Sequence, residues 1–134
     1  MQKGLIFLVD DDGFDLNMAK MFLEEELGHE VFTFSSPENV LEMLKQVLPN
    51  IVITDYEMPA MTGEELSEKI KEISREIGII MWSGKIKDDL PEKVLKNVDC
   101  FVEKFELGSS QKIIDAIGIH YHIIKFICRS FSKC

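Results

Sequence analysis

Positive charge is the scarce commodity in this sequence: 15 lysines and arginines stand against 24 aspartates and glutamates, a formal net charge of −9 at pH 7. Nucleic-acid affinity comes mainly from Lys and Arg replacing counterions on phosphates, so a direct role on DNA is not expected. Cysteine is also thin. Cys100, Cys128 and Cys134 are odd in number and make no C-x-x-C pair, which suggests neither a disulfide framework nor a zinc site, and free thiols in a reducing cytoplasm are the simplest expectation. His29, His120 and His122 have no Cys or carboxylate at ligand spacing. With four prolines and no repeat or low-complexity stretch, the chain does not resemble a disordered or fibrous protein.

Long apolar runs are missing too. Residues 5–9 are too few for a signal-peptide core and run into three aspartates, so the expected location is the cytoplasm. Residues 113–131 are rich in isoleucine, yet Asp115, Lys125 and Arg129 interrupt them, which favours a packed helix over a membrane span.

What is present is an ordinary globular composition, 46% hydrophobic and 29% charged over 134 residues. One core of about 100 to 150 residues accounts for that length, so a single domain over residues 1–134 with no attached output module is expected. Apolar runs rich in β-branched or aromatic residues fall at 5–9, 31–34, 51–54, 79–82 and 100–102 and predict strands. Between them, Leu16, Ala19, Phe22, Leu23 and Leu27 keep helical spacing up to Gly28, a left-handed cap. Ser36-Pro37 opens a second helix as N-cap and first residue, Leu66 and Ile70 mark a third, Val94 and Leu95 after Pro91 a fourth, and a long helix starts near Ser109 or Ser110. Met18, Met21, Met43, Met58, Met61 and Met81 are most simply core filler. Strand and helix alternating in this way predict a doubly wound α/β fold with a five-stranded parallel sheet, flavodoxin-like, whose strands are buried on both faces.

In such folds the ligand lies beyond the carboxyl ends of the strands. The residues at those ends are Asp10, Asp11 and Asp12, then Asp55, Ser83 and Lys104. Crowded carboxylates need a compensating cation, and an all-oxygen donor set selects a hard ion such as Mg²⁺. Asp12 is open between a metal role and an N-cap for the first helix. Lys104 can pair with Asp55 or with a phosphoryl oxygen, and the Ser83 hydroxyl can donate to another. An aspartate is a competent phosphoryl acceptor once a metal and a cation neutralise the group in transfer.

The strings Leu8-Val9-Asp10-Asp11, Ile53-Thr54-Asp55-Tyr56-Glu57-Met58-Pro59-Ala60-Met61-Thr62-Gly63, Ile79-Ile80-Met81-Trp82-Ser83-Gly84 and Phe101-Val102-Glu103-Lys104 together resemble the receiver domain of two-component response regulators. The resemblance implies that Asp55 is the phosphoacceptor, that Asp10, Asp11, Asp55 and the Glu57 carbonyl hold Mg²⁺, and that Ser83 and Lys104 assist catalysis. It also implies that Ser83 and Phe101 reorient as a switch, and that the phosphodonor is a histidine kinase or a histidine phosphotransfer protein. The protein would then be a signalling switch and not an enzyme acting on other substrates, with its output read by a downstream protein. Departures from the pattern are Phe105 where Pro is usual, Asn97-Val98 for Gly-Ala, and Ser83 for Thr.

Asp10-Asp11-Asp12-Gly13 also fits the D-x-D-G opening of haloacid-dehalogenase-like phosphohydrolases, although no late acidic pair follows Lys104. Two further expectations concern surfaces. The resemblance implies that Glu57 and Lys85, which follow Asp55 and Ser83, flank the phosphoryl site, where opposite charges could pair across the pocket mouth. On the C-terminal helix the apolar arc spans roughly 240°, more than one sheet contact buries, so Ile119, Ile123 and Phe126 are expected to meet a partner or form a homodimer.

Overall fold

A strand with apolar residues at every position has to be covered on both sides, and its alternating side chains sort themselves between two layers. In β1 (Leu5–Val9), Phe7 and Val9 face one layer while Ile6 and Leu8 face the other. The computed structural model describes residues 4–26, 28–85, 87–104, 112 and 115. It continues with α1 (Gly13–Met21), β2 (Glu30–Phe34), α2 (Pro37–Met43), β3 (Ile51–Thr54), α3 (Gly63–Ile73), β4 (Gly78–Ser83) and β5 (Cys100–Glu103). The sheet is parallel, in the order β2-β1-β3-β4-β5.

One core lies between the sheet and α2 and α3, where Phe7, Val52, Ile79, Met81 and Phe101 meet Val40, Leu66 and Ile70. The second lies on the α1 side, where Leu8, Ile53, Ile80 and Val102 join Leu16, Ala19 and Leu23. Phe101 is thus buried against the α2/α3 layer.

Helix boundaries follow local chemistry. Asp12 caps α1, accepting from the N–H groups of Phe14 and Asp15. After Met21 the helix widens into a π turn (Phe22–Glu26) that buries Leu23, and Gly28 (φ 73°) ends it as expected. Ser36 is the N-cap of α2 and Pro37 its first residue.

Three expectations need correction. The fourth helix is replaced by short 3₁₀ turns at Lys87–Asp89 and Glu92–Leu95; Pro91 interrupts donation, and the few residues left before Asn97 bury Val94 but are too short for α-helix. Met18 and Met21 stand on the exposed face of α1 with Phe14 and are not core, whereas Met58 and Met81 are buried. Cys100 is disulfide-bonded, which departs from the expectation of free thiols. Of the C-terminal helix, Lys112 and Asp115 are helical and exposed, and Ile119, Ile123 and Phe126 lie outside the described residues. Among the described residues no helix is long and apolar enough to cross a membrane.

Candidate functional site

The strand order reverses at β1, which lies between β2 and β3, so the ends of β1 and β3 open the crevice where this fold class takes ligands. Register does the rest. Val9 pairs with Thr54, so Asp10 and Asp55 emerge side by side, and the Asp55 N–H donates to the Val9 carbonyl. Ser83 pairs with Glu103, and the Lys104 N–H donates to the Ser83 carbonyl at 2.8 Å. Asp10, Asp55, Ser83 and Lys104 therefore share one edge, as anticipated.

The loop from β3 to α3 fixes the orientation of Asp55. The Thr54 hydroxyl donates to the Asp55 carbonyl at 2.8 Å, and the Tyr56 N–H donates to Asp55 Oδ1 at 2.7 Å. Gly63 opens α3 directly against Asp55: a Cβ there would collide with the Asp55 carbonyl oxygen, so only glycine lets the helix approach. Its N–H donates to the Tyr56 carbonyl, while Thr62 caps α3 through the Glu65 N–H and Met58 anchors the loop in the core. Within the Asp55–Gly63 string, Met58 is thus held by packing and Gly63 by the close approach of the backbone. Ala60 takes a left-handed φ of 72° in the same loop, a conformation that costs an L-residue about 1 kcal/mol or more.

At the centre is Lys104. Its Nζ lies 2.6 Å from Asp10 Oδ2, 2.9 Å from Asp15 Oδ2 and 3.3 Å from Asp55 Oδ2. Burial works against the ammonium charge, but the hydrogen bonds to Asp10 and Asp15 and the fields of Asp55 and Asp10 outweigh it and push the Lys104 pKa up. Asp10 is shifted upward as well: burial dominates, and the bonds from Lys104 and the Asp12 N–H only partly offset it. One lysine does not fully compensate this group of carboxylates.

Asp10, Asp11 and Asp55 each offer a carboxylate oxygen, all within 4.8 Å of one another. This oxygen donor set, with buried Asp10 holding its charge at a cost, fits a hard divalent cation such as Mg²⁺. Asp12 stands outside that group and caps α1 through its Oδ1. Ser83 is buried and accepts from the Lys85 N–H at 3.1 Å, keeping its own proton for donation. The Glu57 and Lys85 side chains pair at 2.9 Å, as expected, and the Glu57 hydrogen bond raises the Lys85 pKa. Both line a cleft of about 690 Å³ together with Asp10, Asp11, Asp55 and Lys104.

Asp15 is the site residue that motif matching overlooks. The available signal was its place in the first turn of α1, one helical turn beyond the aspartate cluster. Phe105 lies outside the described residues.

Comparison with known proteins agrees with this geometry. The family model "Response regulator receiver domain" matches residues 6–117. The response regulator protein TmoT of Ectopseudomonas mendocina is 32% identical over 106 residues, covering 78% of this chain and 48% of that protein. The chain spans 12% of the autoinducer 1 sensor kinase/phosphatase LuxN of Vibrio harveyi, at 28% identity over 77% of its own length, so it is shorter than two thirds of either relative. Among solved structures, a CheY-like receiver domain protein from Methanospirillum hungatei superposes with a TM-score of 0.77 at 25% identity, covering 87% of this chain and 92% of that one. The response regulator TrrA from Thermotoga maritima, in complex with Mg²⁺ and BeF, gives 0.73 at 26% identity, covering 86% and 99%. The haloacid-dehalogenase-like alternative is set aside by the family match. With its sheet order, its strand-end aspartates and lysine, and a family match over most of its length, the chain belongs to the response regulator receiver domain family.

Proposed function

We propose that this receiver domain accepts one phosphoryl group on Asp55 from a histidine kinase or histidine phosphotransfer protein. The observation that carries this is the grouping of Asp55 with Asp10, Asp11 and one nearly buried lysine at the fold's ligand-binding edge. An Asp55 carboxylate oxygen forms the bond to phosphorus as the bond to the donor's imidazole nitrogen breaks, the electron pair leaving with the donor. Lys104 and the Ser83 hydroxyl meet the phosphoryl oxygens, and the Tyr56 N–H and Gly63 packing keep the nucleophile oriented. Asp10, Asp11, Asp55 and the Glu57 carbonyl would hold Mg²⁺, which supplies charge neutralisation.

The chemistry is confined to the chain's own phosphorylation and dephosphorylation, so the protein acts as a switch. Ser83 follows the phosphoryl group, Phe101 repacks in the α2/α3 layer, and a downstream protein reads the altered surface. The chain acts in the cytoplasm as a receiver unit. Ile119, Ile123 and Phe126 would supply a contact for a protein partner or a second copy. Intact-mass measurement after incubation with acetyl phosphate and Mg²⁺ should show one added phosphoryl group on the wild type and none on Asp55→Asn; no added mass on the wild type would refute the proposal.

A further inference from the structure

The ammonium that has to meet the phosphoryl group is held by a carboxylate with no other part in the site. Asp15 Oδ2 lies 2.9 Å from Lys104 Nζ, closer than Asp55 Oδ2 at 3.3 Å. Among the described residues, the oxygens that converge on a common point come from Asp10, Asp11 and Asp55, and Asp15 is not among them. Asp15 nevertheless lines the same cleft, because Asp12 caps α1 and thereby turns the first helical turn toward it. Lys104 is nearly buried, with a side-chain exposure of 9%, and reaches Asp10, Asp15 and Asp55 from one place.

These contacts have different fates during phosphorylation. A cation bound by Asp10 and Asp55 weakens their claim on the lysine, since both carboxylates then serve the metal. Asp15 keeps its claim. We propose that Asp15 is a positioning residue that holds Lys104 in a resting place and competes with the incoming phosphoryl group for it. The inference rests on Asp55 being the phosphoacceptor. In the reaction with acetyl phosphate, an Asp55 oxygen bonds to phosphorus, the bond from phosphorus to the acetyl oxygen breaks, and acetate leaves with the electron pair. Lys104 moves no proton in this step and only changes partner, from Asp15 to a phosphoryl oxygen.

The test is a double-mutant cycle under saturating Mg²⁺, with the rate of acetyl phosphate uptake and the affinity for beryllofluoride as separate readouts. Asp15→Asn keeps the shape and removes the charge. Both readouts should rise about fivefold, the scale of one partly exposed ion pair with a buried partner, while Asp15→Glu stays near wild type. In a Lys104→Met background, Asp15→Asn should change neither. An equal gain in that background would mean that Asp15 merely repels the anionic donor, and no gain, or a loss, in the Lys104 background would mean that it does not compete; each overturns the inference while leaving Asp55 as acceptor. If neither wild type nor Asp15→Asn takes up phosphoryl or beryllofluoride, the acceptor assignment itself fails and this inference with it.

Discussion

The two ends of the sheet are built on opposite principles. At the amino ends of the strands, polar side chains are matched to backbone groups: Asn50 Oδ1 accepts from the Leu5 N–H, and His29 Nδ1 from the Gly4 N–H. There Lys71 donates to the Ile77 carbonyl at 2.6 Å and to Asp99, which also accepts from the Ile79 N–H. At the carboxyl ends, by contrast, Asp10, Asp15 and Asp55 share Lys104, and burial holds the Asp10 pKa up. The first end stitches neighbouring elements together. The second is left short of positive charge, which is costly alone and useful when a cation and a phosphoryl group arrive. Local rules are kept where stability is set and broken where function lies.

The largest expected effect lies at the stitched end. Lys71→Met leaves the partly exposed Asp99 carboxylate and the Ile77 carbonyl without their ammonium, and because an acceptor left unsatisfied costs about 1 to 3 kcal/mol, more when it is charged, denaturant unfolding should show a loss of about 3 kcal/mol, with phosphoryl uptake retained. The reverse pattern belongs to the other end. Mg²⁺ at about a hundred times its Kd should stabilise the wild type by about 2.7 kcal/mol through mass action, and thermal melts should show this gain shrink in Asp11→Ala. Asp55→Asn should leave the metal-free protein as stable as the wild type or more so, because it removes one of the crowded charges.

Smaller effects sharpen the contrast. Glu57 and Lys85 pair in the open, and an exposed pair contributes at most about 1 kcal/mol. If they shield the acyl phosphate from water, the combined Glu57→Ala and Lys85→Ala change should shorten the lifetime of the phosphorylated form about twofold to fivefold, followed by the decay of the phosphorylated mass. The smallest effect is at His29, whose pKa burial pushes below 6.5. The unfolded chain then takes up a proton that the folded protein refuses, so this contribution is complete above pH 6.5 and declines as pH falls toward the lowered folded value. Comparing unfolding midpoints at pH 7.5 and 5.5 for the wild type and His29→Gln should show a smaller drop in the variant.

How much of this the sequence disclosed varied with the kind of signal. Strands were legible to within a residue or so because a run buried on both faces must be apolar throughout, and the strand-end aspartates, Ser83 and Lys104 stood out as polar residues at apolar ends. The π turn after Met21 and the 3₁₀ turns around Pro91 were hidden, since both share apolar spacing with an α-helix. Met18 and Met21 misled for a related reason: methionine suits either a core or an exposed helix face. Asp15 escaped notice because its partner lies 89 residues away in sequence and only the fold brings them together.

The central claim is that the cation-poor end takes up its phosphoryl group at Asp55. Borohydride reduces an acyl phosphate to an alcohol, so reduction of the acetyl-phosphate-treated chain followed by peptide mass mapping reads the acceptor directly. The account predicts conversion of the side chain at position 55 and nowhere else. Conversion at Asp10, Asp11 or Asp15 with position 55 intact, or phosphorylated protein with no reduced carboxylate, would contradict it.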